Sequence, residues 1–207
     1  MRFGITTVIC SMLLATIMFP AVGKNLNIEV TPLIGYRFAG EFATTDAKIH
    51  NTIELSEEVS FGLITAWSVD RARQAEVLIS HYNSTFSESV DFSASNTDIA
   101  ITYAHLGGSV PVNNDLLPIK VTGGLGLTYL SPKASKLDDE TRFSINIGLA
   151  SAFQLSEHVS FRIDSRLYGT FFNSDSSLFC DVETCAVYIS SDVWVQAEVS
   201  AGISYRF

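Results

Sequence analysis

The chain has 207 residues, with 13 basic and 22 acidic side chains and a formal net charge of −9. That balance argues against nucleic acid as a partner, because phosphate binding needs basic patches. Past residue 23 no stretch holds eighteen or more continuous apolar residues, which excludes a helical membrane protein.

The first element is a leader. Arg2 supplies one positive charge, the run "GITTVICSMLLATIMF" is nearly all apolar, and Pro20 precedes the small-residue pattern Ala21-Val22-Gly23. This three-part layout predicts a secretory signal peptide over 1–23, with the mature chain starting near Lys24. The apolar run is too short and too lightly flanked to be a spanning helix. Cys10 is not a lipidation site on this reading, because Ile9 before it is not small; it leaves with the leader. Residues 24–207 are then one domain.

Eight strands are predicted after the leader, over 26–38, 59–69, 75–84, 97–109, 118–130, 141–154, 159–171 and 192–207. The third is the least clear, since Val77 and Ile79 compete with Leu78 and Tyr82 for its apolar face. The fifth sets Ile119, Val121, Leu125, Leu127 and Tyr129 against Lys120, Thr122, Gly124, Gly126 and Thr128. In the sixth, Phe143, Ile145, Ile147, Leu149 and Phe153 oppose Arg142, Ser144, Asn146, Gly148 and Ala150. The seventh places Phe161, Ile163, Ser165 and Leu167 opposite Arg162, Asp164, Arg166 and Tyr168. The eighth carries Val193, Val195, Val199, Ile203, Tyr205 and Phe207 on one face, with Gln196, Glu198, Ser200, Gly202 and Arg206 on the other. Strict alternation over ten or more residues means strands with one apolar face.

The connections sort by length. Those at 70–74, 111–117 and 155–158 are short; those at 39–58, 85–96, 131–140 and 172–191 are long and acidic. A sandwich has no reason to sort its loops this way, whereas an up-and-down barrel crossing a membrane has short turns on one side and long loops on the other. The aromatics agree. Tyr36, Phe38, Phe61, Tyr129, Phe143 and Phe171 fall at loop-side ends, and Trp67, Phe153, Phe161, Tyr205 and Phe207 at turn-side ends. Phe143 and Phe153 are ten residues apart, as are Phe161 and Phe171. On a tilted strand that spans roughly 25 Å, the height between two aromatic girdles. A soluble barrel of the lipocalin kind would instead keep its apolar face inside. The expectation is therefore an all-β, eight-stranded antiparallel transmembrane barrel. Lipid offers no hydrogen bonds to an open edge, so first and last strands must pair, with both ends of the chain on the turn side.

The inner face then collects an ion network. Glu29, Glu76, Asp164 and Glu198 supply acids; Arg37, Lys120, Arg142, Arg162, Arg166 and Arg206 supply bases. Arg162, Asp164 and Arg166 are neighbours on one face, and closure is expected to bring Glu29 and Glu198 together. A structural network of ion pairs is favoured over an ion path or catalytic carboxylates. The four histidines are scattered over loops, turns and strand ends without metal-ligand spacing, so no metal or other cofactor is expected. His81 near Ser84 resembles only loosely the histidine–serine sites of outer-membrane lipid A deacylases; the spacing does not match and no acidic orienter is evident. "GGLG" at 123–126 lies mid-strand with no helix after it and is no phosphate loop. Cys180 and Cys185 share the last long loop, where a disulfide closing a small loop is simpler than a two-thiol metal site.

"TPLIGYRFAG", "YAHLGGSVPV", "GGLGLTYLSP" and the terminal "YRF" together resemble the outer-membrane β-barrel domain proteins of Gram-negative bacteria, small barrels similar to the OmpA/OmpX and OmpW types. The resemblance covers essentially all of 24–207. It implies an outer-membrane location with periplasmic termini, and outer-membrane lipid and lipopolysaccharide as surroundings. It also implies the barrel assembly machinery as a partner, with Tyr205 and Phe207 in the signal that machinery reads. For function it leaves three readings: a non-enzymatic envelope or surface-contact barrel acting through its acidic external loops, which is preferred; a narrow OmpW-like conduit; or a lipid A-modifying enzyme.

Overall fold

The computed structural model describes residues 27–38, 41–43, 52–87, 98–112, 118–133, 138–172, 177–180, 185–188 and 193–207. The signal-peptide expectation for 1–23 lies outside these. The strands are β1 (Ile28–Phe38), β2 (Glu41–Ala43), β3 (Thr52–Leu55), β4 (Glu58–Ser68), β5 (Gln74–Ser87) and β6 (Asp98–Pro111). They continue with β7 (Ile119–Pro132), β8 (Glu140–Gln154), β9 (Val159–Phe171), β10 (Ser177–Cys180), β11 (Cys185–Tyr188) and β12 (Val193–Arg206).

Eight of them make an antiparallel wall in the order β1, β4, β5, β6, β7, β8, β9, β12, and β12 pairs back onto β1 to close it. The eight-stranded closed barrel read from the alternation is therefore the fold. Two of the long connections carry strands of their own. β2–β3 and β10–β11 are hairpins inside the first and last of them, and β3 continues the ladder beyond β4, with Leu55 opposite Phe86 on β5.

At the seam Glu29 lies opposite Arg206 and Arg37 opposite Glu198. Thr31 and Pro32 drop out of that register, as expected where proline offers no N–H. The hydroxyls of Thr31 and Ser204 bridge the gap at 2.7 Å inside the barrel. Phe207 N–H donates to the Ile28 carbonyl at 2.9 Å, carrying the seam to the last residue.

Alternation assigns the two faces. Phe61, Leu125, Ile147 and Val195 are exposed on the outside, while Arg37, Tyr103, Thr128 and Tyr168 are fully buried inside. β5 resolves its ambiguity by turning Leu78 and Tyr82 inward beside Glu76 and Ser80, with Val77 and Ile79 outward. Two inner glycines make room for large neighbours. A Cβ on Gly126 would stand 2.0 Å from the Ala104 carbonyl oxygen and 2.7 Å from His105 Cδ2, and one on Gly148 would stand 2.8 Å from Arg166 Cγ. His105 and Arg166 are their cross-strand partners, so each large side chain lies across a glycine.

The turn at 69–73 is held by Asp70. Its Oδ1 accepts the backbone N–H groups of Ala72 at 2.9 Å and Arg73 at 2.7 Å, and its Oδ2 accepts Arg73 Nε at 2.6 Å. The Arg73 and Ala72 amides and then the Arg73 side chain hold its carboxyl down to about 2.

Gly126→Val and Gly148→Val are expected to destabilise the barrel by about 3 kcal/mol, the upper part of the overpacking range. Gly169→Ala, whose added carbon would meet nothing nearer than 3.5 Å, should not; urea unfolding in lipid vesicles measures the difference. A depressed carboxyl stabilises above its unfolded value and loses that contribution as pH falls through the folded one. The 69–73 turn should therefore keep its order from neutral pH down to about 3 and lose it as pH approaches 2, read from the amide NMR shifts of Ala72 and Arg73. Asp70→Ala should abolish that transition.

Candidate functional site

The lumen holds the chemistry: of the ten charged residues expected there, Glu29, Arg37, Glu76, Arg162, Asp164, Arg166 and Glu198 are buried, and Lys120, Arg142 and Arg206 are half-buried. They sort into groups. Near the turn-side mouth Arg206 Nη2 meets Glu29 Oε2 at 2.9 Å, and Lys120 Nζ donates to Gln74 Oε1 at 2.5 Å. Near the loop-side mouth Arg142 Nη2 meets Glu140 Oε2 at 2.5 Å.

Between them lies a four-membered cluster drawn from β5 and β9. Arg162 reaches Glu76 at 3.1 Å and Asp164 at 2.8 Å, and Arg166 reaches the same two carboxylates at 3.0 and 2.7 Å. All four side chains are almost wholly buried. Two guanidinium groups chelating two carboxylates satisfy most of their donors and lone pairs, the condition under which buried charges are tolerable.

Arg166 starts a relay. Its Nη1 donates to Asn146 Oδ1 at 3.0 Å, which leaves the Asn146 amide nitrogen to donate to His105 Nδ1 at 2.8 Å. That fixes His105 as the Nε2–H tautomer, donating to Ser144 Oγ at 2.7 Å. His105 is therefore a buried mid-strand residue of β6, which corrects its placement among scattered loop and strand-end histidines.

Arg37 forms a second centre. Its Nη2 pairs with Glu198 Oε2 and donates to Ser80 Oγ at 2.8 Å, while Ser80 donates to the same Glu198 oxygen at 3.0 Å. Tyr168, Tyr103 and Tyr82 surround the guanidinium, with ring centroids 4.0, 4.9 and 5.1 Å from Cζ. Its Nε and Nη1 have no hydrogen-bond acceptor and face those rings instead. Tyr103 donates to Gln196 Oε1 at 2.6 Å, and Gln196 Nε2 donates to the Tyr82 hydroxyl. Toward the loop side Ile99, Ile101, Leu130 and Trp194 fill the remaining section, all nearly inaccessible. From Arg37 to Trp194 the inner side chains named here are almost wholly buried.

Sequence reasoning missed this aromatic cage. Its one signal was three tyrosines in phase with inward polar residues of their own strands, Tyr82 with Glu76 on β5, Tyr103 with His105 on β6 and Tyr168 with Arg166 on β9, rather than with the outward aliphatic residues. Closure does not join Glu29 to Glu198, because each faces an arginine across the seam. His81 and Ser84 are three apart on β5 and on opposite faces: His81 bonds Thr102 Oγ1 at 2.8 Å on the outer wall, while Ser84 is buried inside. They cannot act together. Among the described residues no group of three His, Cys, Asp or Glu side chains is placed to hold a metal ion. Backbone pairing sets Cys180 opposite Cys185 in the β10–β11 hairpin. Tyr205 and Phe207 are exposed on the outer wall at the turn-side rim, their rings edge-to-face at 4.9 Å.

Removing one partner of a buried pair strands the other. Arg37→Met or Glu198→Leu alone should cost about 3–5 kcal/mol, and the double variant should recover a large part of it. Equilibrium unfolding of the four proteins in one detergent measures this cycle.

Solved structures share the fold. Neisserial surface protein A aligns with 10% identity and a TM-score of 0.53, covering 87% of this chain and 97% of its own. The outer membrane protein OprG from Pseudomonas aeruginosa aligns with 12% identity and a TM-score of 0.53, covering 88% and 96%. No curated protein matches the sequence. Residues 35–207 match the family model described as the outer membrane protein beta-barrel domain. With a closed wall apolar on its outside and charged within, the chain belongs to that family: a small barrel of the Gram-negative outer membrane, its two ends on the periplasmic side.

Proposed function

We propose that the protein is a non-enzymatic barrel of the envelope whose acidic external connections make contact at the cell surface. Charge asymmetry between the two mouths carries this reading. The segments 39–57, 88–97, 133–139 and 172–192 hold twelve acidic side chains and three lysines, a net charge of −9, whereas 69–73, 112–118 and 155–158 hold three acids and two arginines, a net charge of −1. A strongly single-signed face steers partners of opposite charge, so the partner surface is basic. The packed lumen supports the same choice, because a barrel closed by Arg37 and its tyrosines has little to offer as a conduit. As in other barrels of this class, outer-membrane lipid and lipopolysaccharide surround the wall, and assembly runs through the barrel assembly machinery.

The proposal includes a signal peptide over 1–23, a Cys180–Cys185 disulfide fixing the last loop, and a role for Tyr205 and Phe207 in assembly. The narrow conduit is the competing reading. Replacing the twelve external acids by Asn and Gln should abolish attachment of expressing cells to a polylysine-coated surface while the barrel still reaches the outer membrane. Planar-bilayer recordings of the unaltered protein should show no discrete conductance. Unchanged attachment would sink the contact role, and unitary currents altered by Arg37→Ala would establish the conduit in its place.

A further inference from the structure

A narrow lumen must be close to electrically neutral, because an unmatched charge in low dielectric costs far more than one in water. The pairs described above match five arginines (Arg37, Arg142, Arg162, Arg166 and Arg206) to five carboxylates (Glu29, Glu76, Glu140, Asp164 and Glu198). Lys120 is the sixth base. Among the described residues it has no carboxylate within ion-pair distance, and its ammonium donates only to the neutral amide oxygen of Gln74 at 2.5 Å. The charges acting on it are Glu29, Arg162, Glu76 and Arg206. They are two of each sign, already bound to one another as Arg206–Glu29 and Arg162–Glu76.

Two further donors stand at neighbouring inner positions of the ladder. Ser109 Oγ and Thr122 Oγ1 are buried, at 2% and 1% residue exposure, and neither has a hydrogen-bond partner. They are cross-strand neighbours on the inner face of β6 and β7, with Gln74 of β5 on the far side of Ser109. Lys120 stands two residues before Thr122 on the same face. Its side chain crosses from β7 to Gln74, the strand partner of Ser109 on β5. Gly107 and Gly124, the next inward positions on β6 and β7, add no side chain there.

We propose that Lys120, Ser109, Thr122 and Gln74 form a binding site for a small monovalent anion of the halide class at the periplasmic mouth of the lumen. The ammonium supplies charge, and its free protons, the two hydroxyls and the Gln74 amide supply donors. One monoanion matches the sixth base, whereas a dianion would overshoot. The nearby carboxylates do not repel it, because arginines hold both. The site is independent of any contact made by the external face.

Chloride-35 NMR line broadening on the full chain folded in detergent micelles tests this, with bromide as competitor. The unaltered protein should show excess linewidth that saturates with chloride and collapses on adding bromide. Lys120→Met should remove it, and Ser109→Ala/Thr122→Val should weaken binding at least tenfold. Arg71→Gln/Arg73→Gln, which removes basic charge from a turn on the same rim, should leave it intact. The double hydroxyl variant alters no charge and keeps the test decisive if Lys120→Met does not fold. Broadening that rises linearly without saturation, survives in both site variants, or disappears with Arg71 and Arg73 would overturn the proposal. So would crystals grown in bromide whose anomalous peaks lie only outside the lumen.

Discussion

Everything in this molecule depends on the pairing of β1 with β12. A strand edge exposed to hydrocarbon would leave a row of N–H and C=O groups without partners, at several kcal/mol each. Closing the wall with eight strands removes that cost and sets a second condition, an interior only wide enough for side chains. The seam shows how strictly the first condition is met. Where Pro32 interrupts the register, the Thr31 and Ser204 hydroxyls bond across it, and the ladder runs on to Phe207.

The second condition explains the lumen. Large side chains fit only where a neighbouring strand offers none, so His105 lies across Gly126 and Arg166 across Gly148. Most polar groups are satisfied by one another, because a filled interior leaves little room for water. The result is a graded plug. Ion pairs dominate from the turn-side mouth to the middle, through Glu29, Arg162, Asp164 and Arg166, and the Arg37 cage follows. A mainly apolar section of Ile99, Ile101, Leu130 and Trp194 lies toward the loops. This protein is organised inversely to a soluble one, with its apolar side outward, yet most buried polar groups of its interior find partners as they do there, and Ser109 and Thr122 stand out as exceptions.

The wall was legible in the sequence because lipid imposes one hydropathy on most outward positions, the bonded His81–Thr102 pair being an exception. Phe143, Ile145, Ile147 and Leu149 alternate with Ser144, Asn146 and Gly148 without exception. The lumen imposes no such uniformity, accepting arginine, tyrosine and leucine alike. That is why β5 was ambiguous: Leu78 and Tyr82 are as apolar as Val77 and Ile79 but point the other way. It is also why the tyrosine cage and the buried place of His105 were not foreseen. Which interior charges meet depends on the stagger between strands, a property of closure that no single strand records. Arg162, Asp164 and Arg166 could be grouped because they share β9. Matching Glu29 to Arg206 and Arg37 to Glu198 required the seam.

The contrast between the two mouths also bears on how long the orientation lasts. To turn over, an inserted barrel would have to carry twelve external carboxylates back through hydrocarbon, each at the steep cost of an ion leaving water. The near-neutral turns face no comparable barrier in the forward sense, since they stay on the side from which the chain arrives. The acidic connections therefore act as a one-way catch. Once they have crossed, orientation is kept by a kinetic barrier that needs no difference in stability between the two directions.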